Sequence, residues 1–188
     1  MRKLKLQVQI SIDGFICGPN GEMDWLVMNW GADIKAYVDM ITEPVDTILL
    51  GRNLAQGFIP HWAGVASDES NPEQSAGRKY SLTPKIVFSK TLKSSPWENA
   101  VIANGDLVEE VTAVKKRRGG DVIAYGGSTF VSSLLKANLI DELHLFVNPT
   151  VLGRGMPIFN EVRQNQKYKL DTVKTFECGI VMLHYNRV

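Results

Sequence analysis

The chain has 188 residues, 44% of them hydrophobic, which predicts one globular domain over residues 1–188 with a sizeable core. The formal net charge is +1 and acids and bases are interspersed, which argues against nucleic acid or an anionic membrane as a partner. No segment approaches the roughly 20 apolar residues that a transmembrane helix needs, so we predict no membrane span.

The first predicted element is a β-strand. Apolar and polar residues alternate from Leu4 to Ile12, the period of a strand with one covered face. A signal peptide needs an unbroken apolar stretch instead, so this segment does not resemble one. Cys17 and Cys178 form no CxxC motif or Cys/His cluster. Together these features predict a cytoplasmic protein in a reducing environment.

The next predicted elements are a helix and a buried strand. Asp33 opens a helix that extends to about Ile41, with apolar residues at helical spacing. Residues 45–50 form an apolar run between Pro44 and Gly51, which is typical of a strand buried on both faces in a parallel sheet. The polar segment Gly51-Arg52-Asn53 begins where this strand ends.

The middle of the chain predicts a loop, two short strands and a helix. Residues 60–84 are polar, contain prolines and lack periodicity, which predicts a surface loop with at most a short helix. Strands are predicted at 85–89 and 101–103, and Asp106 with Glu109 resembles a capping box at the start of a helix. The basic run 115–118 suits the end of that helix better than a nucleic-acid site, because helix C-termini favour cations.

Residues 121–146 predict a βαβ unit with a glycine turn. A short apolar strand meets Gly126-Gly127, then a helix that Ser128 and Thr129 can cap, then a second strand. Backbone N–H groups at such a helix start favour phosphate. A glycine pair also serves as a plain tight turn, and the GxGxxG spacing of a Rossmann fold is missing. Both interpretations of this turn stay open from the motif alone.

The chain closes with a glycine-bearing loop at 149–159 and two alternating strands, Tyr168 to Phe176 and Gly179 to Tyr185, which predict a hairpin. The complete order of elements predicts an α/β fold. Its central sheet is expected to be mixed but mostly parallel and flanked by helices, with a C-terminal antiparallel hairpin.

Three predicted strands end in residues suited to phosphate. Gly51-Arg52, Ser89-Lys90 and Gly126-Gly127 follow strands whose carboxyl ends share one edge of a parallel sheet, where ligands bind. Arg52 offers a fork of donors, Lys90 a point charge and Ser89 a hydroxyl. Each of these residues is also compatible with an ordinary surface position. As a set, they indicate an adenine dinucleotide that carries an extra phosphate.

Together the segments resemble the dihydrofolate reductase-like superfamily, and more closely the reductase (C-terminal) domain of bacterial riboflavin-biosynthesis deaminase-reductases. The resemblance covers nearly the whole chain and is carried in order by Ser11–Ile16, Met23–Trp25, Asp46–Arg52, Ser89–Thr91, Gly126–Ser128 and Pro149–Gly155. It implies a mixed eight-stranded sheet, NADPH as hydride donor, a small heterocyclic substrate and commonly a homodimer.

The resemblance also implies how the cofactor is held. Gly51-Arg52-Asn53 and Ser89-Lys90 would bind the adenosine phosphate end of NADPH, and Gly126-Gly127-Ser128-Thr129 would bind the pyrophosphate. Ile16 and the loop after it would lie on the nicotinamide side. These assignments make the glycine turn a cofactor cradle rather than a catalytic element.

Asp33 is the candidate catalytic residue. In dihydrofolate reductases a carboxylate soon after the loop tryptophan contacts the pterin and assists its protonation. Asp33 is the nearest helix acid after Trp25 but lies eight residues on, and its alternative role is a helix cap. Asn53 and Leu54 stand where the usual pattern has a threonine, which favours the riboflavin-type reaction over folate reduction.

Other chemistry has little support in the sequence. His144 and His184 lie in predicted strands, and no HxxxH or HExxH motif predicts a metal site. The serines after the glycine pair lack the GxSxG elbow of hydrolases. We therefore expect an NADPH-dependent reductase acting on a ribosylaminopyrimidine, with dihydrofolate reduction as the second hypothesis. A nucleotide-binding sensor or scaffold without catalysis is the alternative from another class.

Overall fold

The centre of the molecule is an eight-stranded β-sheet, and the computed structural model describes residues 1–188. The elements in chain order are β1 Leu4–Ile10, β2 Phe15–Cys17, α1 Ala32–Thr42, β3 Val45–Gly51, α2 Arg52–Ser67, α3 Gln74–Leu82, β4 Lys85–Phe88, β5 Ala100–Ala103, α4 Leu107–Lys116, β6 Asp121–Tyr125, α5 Ser128–Lys136, β7 Glu142–Val147, β8 Met156–Pro157, β9 Tyr168–Thr175 and β10 Val181–Arg187.

The strand order of the sheet is β5-β4-β3-β6-β1-β7-β10-β9, and β2 pairs separately with β8. Neighbouring strands from β5 to β7 are parallel, whereas β10 runs antiparallel to both β7 and β9. The predicted α/β fold with a mostly parallel sheet and a C-terminal hairpin is confirmed. Gly179 forms the hairpin turn with φ +90°, a backbone conformation that glycine adopts without strain.

Alternating residues of the central strands build cores on both faces of the sheet. Leu49 of β3 packs with α4 and α5 on one face, while its neighbours Ile48 and Leu50 pack with α2 and α3 on the other. On that second face, helix α1 packs against Phe146 of β7 and Met182 of β10. Burying each such side chain stabilises the fold by roughly 1.5–3 kcal/mol.

The prediction of a surface loop over residues 60–84 is wrong. Helix α2 continues through Pro60 to Ser67, and α3 follows at Gln74–Leu82. The two helices pack so closely that a Cβ atom at Gly77 would lie 2.6 Å from the backbone nitrogen of Ala66. These helices are stabilised by packing on each other and on the sheet, which outweighs the weak local pattern and the lost amide donor of proline.

The helix starts differ from the predictions at two of three positions. Helix α5 begins at Ser128, and Gly127 rather than Ser128 or Thr129 occupies its N-cap position. Helix α1 has Gly31 at its N-cap, so Asp33 lies inside the first turn. The predicted cap of α4 is confirmed, because Asp106 accepts hydrogen bonds from the amides of Val108 and Glu109. None of these helices has the length and apolar character that crossing a membrane requires.

Candidate cofactor site

The three strand ends that the sequence singled out lie at one edge of the sheet. Strands β4, β3 and β6 are adjacent and parallel, with Gly51 in register with Phe88 and Leu49 with Ala124. The polar segments that follow these strands therefore emerge side by side. In open α/β sheets this carboxyl edge is where ligands bind.

Arg52 and Ser89 are joined through Thr91. One guanidinium nitrogen of Arg52 donates to the Thr91 hydroxyl at 2.8 Å, and two others reach the Asn53 amide oxygen at 3.3 and 3.4 Å. Ser89 Oγ lies 3.3 Å from the Thr91 hydroxyl and accepts hydrogen bonds from the amides of Thr91 and Leu92. Neutral partners thus hold the guanidinium in place and leave its positive charge uncompensated.

Lys90 extends along the same edge towards β5. Its ammonium donates to the carbonyl oxygens of Asn104 and Gly105 at 2.9 and 2.6 Å. An ammonium has three donors, so one is left for an anion. Arg52 and Lys90 are both exposed and neither forms an ion pair within the chain. The edge therefore carries two cations available to a negatively charged ligand.

The glycine turn lies against Ile16. A Cβ atom at Gly126 would lie 2.8 Å from Ile16 Cδ1, so β2 and the end of β6 are in contact. Gly127 has φ +111°, a conformation that other residues adopt only under strain. Gly126, predicted to bind the pyrophosphate, thus contacts Ile16, predicted to lie on the nicotinamide side. The close contact at Gly126 and the positive φ of Gly127 also explain why glycines stand here without any ligand.

The start of α5 offers unpaired backbone donors. No side chain caps this helix. Its first backbone hydrogen bond runs from the Val131 amide to the Gly127 carbonyl. The Ser128 hydroxyl points to Met156 Sδ at 3.4 Å instead of back to the backbone. Free amides and the helix dipole at such a start favour an anion. The start of α5 therefore has free backbone donors of the kind that bind an anion.

Gly51 has a different explanation. A Cβ atom at this position would lie 2.8 Å from Phe130 Cβ of α5, so the end of β3 packs tightly against that helix. Ser128 and Thr129 also border a groove of about 480 Å³ that continues to Met156 and is lined mainly by polar residues. The groove adjoins the glycine turn. A polar ligand bound at the turn would therefore extend into the groove.

Asp33 anchors two elements to each other. Its carboxylate accepts hydrogen bonds from the Glu177 amide at 2.9 Å and from the Ile34 amide at 2.8 Å. These bonds, that from Glu177 first, lower the pKa of Asp33 below its ordinary value. A general acid needs the opposite shift, so the geometry favours an anchor between α1 and the β9–β10 turn. The catalytic role stays a prediction.

Sequence reasoning missed Asn148, which is completely buried at the end of β7. Its amide nitrogen donates to Gln9 Oε1 at 2.7 Å, and its oxygen accepts from the Val27 amide at 3.0 Å. Asn148 therefore fastens the loop between β2 and α1 to the sheet. A polar residue that directly follows a buried apolar strand and precedes a proline was the available signal.

Asp13 holds the loop after β7 in a similar way. Its carboxylate accepts hydrogen bonds from the Ser11 hydroxyl at 2.6 Å and from the amides of Leu152 and Gly153 at 3.1 and 2.7 Å. The Ser11 bond and then the backbone bonds lower the pKa of Asp13. The loop between β1 and β2 is thus fixed to the loop after β7.

Comparison with known proteins agrees with this architecture. Residues 2–182 match the RibD C-terminal domain family. The uncharacterised protein YyaP of Bacillus subtilis is 32% identical over 188 residues, which cover 98% of this chain and 95% of YyaP.

Two solved structures share the fold. A protein from Shewanella sp. PV-4 named for riboflavin biosynthesis superposes with a TM-score of 0.72 at 22% identity, covering 100% of this chain and 99% of that one. Dihydrofolate reductase from Enterococcus faecalis, complexed with NADP(H), superposes with a TM-score of 0.59 at 19% identity, covering 98% and 96%. The fold is therefore dihydrofolate reductase-like, and the chain belongs to the RibD C-terminal domain family.

Proposed function

We propose that the protein is an NADPH-dependent reductase of a pyrimidine or pterin-like heterocycle, with 5-amino-6-(5-phosphoribosylamino)uracil or a close analogue as the first candidate substrate. One observation carries the proposal. Two cations without acidic partners, Arg52 and Lys90, share the carboxyl edge of three adjacent parallel strands with the uncapped start of α5. Family membership supports a reductase of the riboflavin type.

The donor set fits a dinucleotide with an extra phosphate. Arg52, Ser89 and Thr91 would bind the adenosine phosphate, with the guanidinium supplying paired donors to its oxygens. The amides at the start of α5 would bind the pyrophosphate, because at Gly126 and Gly127 no side chain stands between the backbone and the ligand. NADPH, when bound, supplies the hydride, and the protein's part is to bind and orient it.

Ile16 would position the nicotinamide end. Its side chain packs against Gly126 and is buried, so it forms an apolar wall next to the pyrophosphate cradle. An apolar side chain at this place would keep water away from the nicotinamide, which supplies the hydride when bound. The loop between β2 and α1, which Asn148 fastens to the sheet, would then border the substrate.

The geometry of Asp33 favours the riboflavin-type reaction over reduction of dihydrofolate. Folate reduction requires protonation of the pterin, and the carboxylate proposed for it is bonded to two backbone amides. Hydride delivery to a sugar-derived carbon has less need of a fixed acid at this position. The ribosylaminopyrimidine therefore stays the first candidate substrate.

We also propose a homodimer. Strand β9 is the edge strand of the sheet and exposes two apolar side chains, Leu170 and Val173. An open edge of this length offers backbone donors and acceptors to a second chain. Sedimentation equilibrium should give a dimer for the wild type and a monomer for a Leu170→Asp, Val173→Asp variant. A wild type that is monomeric at all concentrations contradicts this part of the proposal.

Loss of NADPH absorbance tests the activity. Purified protein is assayed with the deaminated ribosylaminopyrimidine phosphate, dihydrofolate and a dihydropterin, and oxidation of NADPH is expected with the first. Thermal unfolding is followed in parallel with NADPH and NADH, because a ligand that binds only the folded state stabilises it. Equal shifts of Tm by both cofactors contradict the NADPH assignment. A shift by NADPH without turnover of any substrate instead supports the nucleotide-binding sensor.

A further inference from the structure

A second group of chemically active side chains lies away from the proposed cofactor edge. Glu142 and His144 are on β7, and His184 of β10 is the direct cross-strand neighbour of His144. Their side chains are 7%, 2% and 15% exposed, respectively. Glu142 begins β7, so the group is near the amino ends of the parallel strands. This placement separates it from the carboxyl edge that carries Arg52.

Each of the two imidazoles has an unpaired nitrogen close to one carboxylate oxygen. Nε2 of His144 lies 3.5 Å and Nε2 of His184 lies 3.8 Å from Glu142 Oε2. Both nitrogens are buried and neither has a hydrogen-bond partner. Buried polar atoms are normally paired, so two neighbouring exceptions that face the same oxygen need an explanation.

The outer atoms of the three side chains are already held by partners. His144 Nδ1 lies 3.1 Å from the Tyr37 hydroxyl, and His184 Nδ1 lies 3.0 Å from Asp171 Oδ2. The other oxygen of Glu142 accepts a hydrogen bond from the Lys3 ammonium at 2.5 Å. Metal-binding histidines are typically oriented in this way, with one ring nitrogen fixed by a second group and the other facing the ion.

We propose that Glu142, His144 and His184 bind one divalent transition-metal ion of the zinc type through Oε2 and the two Nε2 atoms, with solvent as a further ligand. Zinc bonds of about 2.0–2.2 Å in tetrahedral geometry place neighbouring ligand atoms roughly 3.3 Å apart. The three ligand atoms already lie within 4.8 Å of one another. Imidazole with one carboxylate is a donor set that suits zinc, copper or nickel better than magnesium.

The surrounding charges permit a cation. Lys3 and Lys5 are the nearby bases, and Lys5 is compensated by Asp121 at 2.9 Å. Glu142 and Asp171 supply two negative charges against the remaining ammonium of Lys3. Burial raises the pKa of Glu142, but the neighbouring His144, Lys3 and Lys5 outweigh this effect and lower the pKa to about 2. The carboxylate is therefore ionised at neutral pH, the form that a metal needs.

Binding requires one ring to turn. The imidazoles are stacked, with centroids 4.2 Å apart and planes inclined by 13°, whereas each nitrogen lone pair lies in its own ring plane. His184 is the ring that is free to turn, because its partner Asp171 is 48% exposed and can follow it. His144 is fixed by the buried Tyr37. The proposed site is structural: an ion would connect β7 to β10, independently of the reductase activity.

Titration of the chelator-treated protein with zinc chloride and cobalt chloride tests the site. We expect one equivalent to bind, Tm to rise, and cobalt to give the visible absorption of a tetrahedral ion. His184→Gln removes a ligand and should weaken zinc binding about 100-fold. Asp171→Asn removes only a group that positions His184 and should weaken zinc binding about tenfold. The control is His61→Gln, because His61 is the one exposed histidine among the three in the chain. This variant should bind zinc like the wild type.

A measurement on the wild type covers the case in which a variant does not fold. Nitrogen-15 spectra of the imidazoles should show the Nε2 signals of two histidines shifting on zinc addition, while those of His61 stay unchanged. Absence of stoichiometric binding, or binding that survives His184→Gln and is lost with His61→Gln, overturns the proposal. Two imidazole signals that respond to pH but not to zinc would show that the cluster shares a proton with Glu142 instead.

Discussion

Ile16 Cδ1 lies so close to Gly126 that a Cβ atom at position 126 would approach it to 2.8 Å. The clashing atom is the end of a flexible side chain, so Gly126→Ala should cost only the shift of one rotamer, roughly 0.5–1.5 kcal/mol. The added methyl group would nevertheless stand where the pyrophosphate approaches the backbone. We expect the affinity for NADPH to fall at least about tenfold, measured by isothermal titration.

Gly127→Ala is the matched comparison. Here φ is +111° and the space around a Cβ atom is open, with Leu54 Cβ the nearest atom at 3.7 Å. Strain of the backbone should lower the free energy of unfolding by about 1–3 kcal/mol. If both alanine variants lose stability equally and bind NADPH equally well, the glycine pair is only a turn.

Arg52→Ala should weaken the binding of NADPH but not that of NADH. The guanidinium is exposed and bonded to neutral groups, so its loss should leave Tm nearly unchanged. Removing a charged partner of the extra phosphate should weaken NADPH binding about 10- to 100-fold and leave NADH binding unaffected. Arg118→Ala, which removes another exposed arginine, is the control. Equal losses for both cofactors would show that Arg52 does not contact the extra phosphate.

Asp33→Asn should lower Tm in a pH-dependent way. Because the pKa of Asp33 is depressed in the folded state, its charge stabilises the fold above the ordinary value of 3.8. That contribution is lost as pH falls through the folded pKa. The Tm difference between wild type and variant should therefore be constant from neutral pH down to about 5 and shrink in stronger acid.

Turnover by the same variant decides between the two roles of Asp33. An anchor between α1 and the Glu177 turn predicts NADPH oxidation close to the wild-type rate. A general acid predicts a loss of about a hundredfold or more. We expect the first outcome, since both carboxylate oxygens accept hydrogen bonds from backbone amides.

Gly77→Ala should destabilise the pair of helices that the sequence did not predict. A Cβ atom there would meet the backbone of α2 at 2.6 Å, and separating the helices should cost about 1–3 kcal/mol in urea unfolding. Gly57→Ala is the control, because that residue of α2 has no atom near its Cβ position. Alanine at 57 should stabilise by about 0.5–1 kcal/mol. A neutral Gly77→Ala would mean that the helices are not in close contact.

The sheet and the edge that carries the proposed cofactor site were predictable because their signals are local. The apolar run before Gly51 and the glycine pair after Tyr125 mark buried strands that end in turns, and parallel pairing then places those ends together. The helices α2 and α3 lacked such signals. Their stability comes from contacts such as Trp62 on Tyr80, with ring centroids 4.4 Å apart, which no local pattern reveals.

The histidine cluster shows a second limit of sequence reasoning. Glu142 and His144 are two residues apart, which places both side chains on one face of a strand, but two ligands alone do not predict a metal site. The third ligand, His184, is brought opposite His144 only by the antiparallel register of β7 and β10. A site assembled by strand pairing requires the register, which is a property of the folded sheet.

Strand β1 lies between β6 and β7, with Leu4 in register with Val122 and Lys5 with Glu142. Strand β1 thus pairs only with strands that lie beyond residue 120. Until β6 and β7 leave the ribosome, the apolar face of Leu4 and Leu6 has no permanent cover. We expect sheet closure to be slow and late, as for other folds rich in distant contacts.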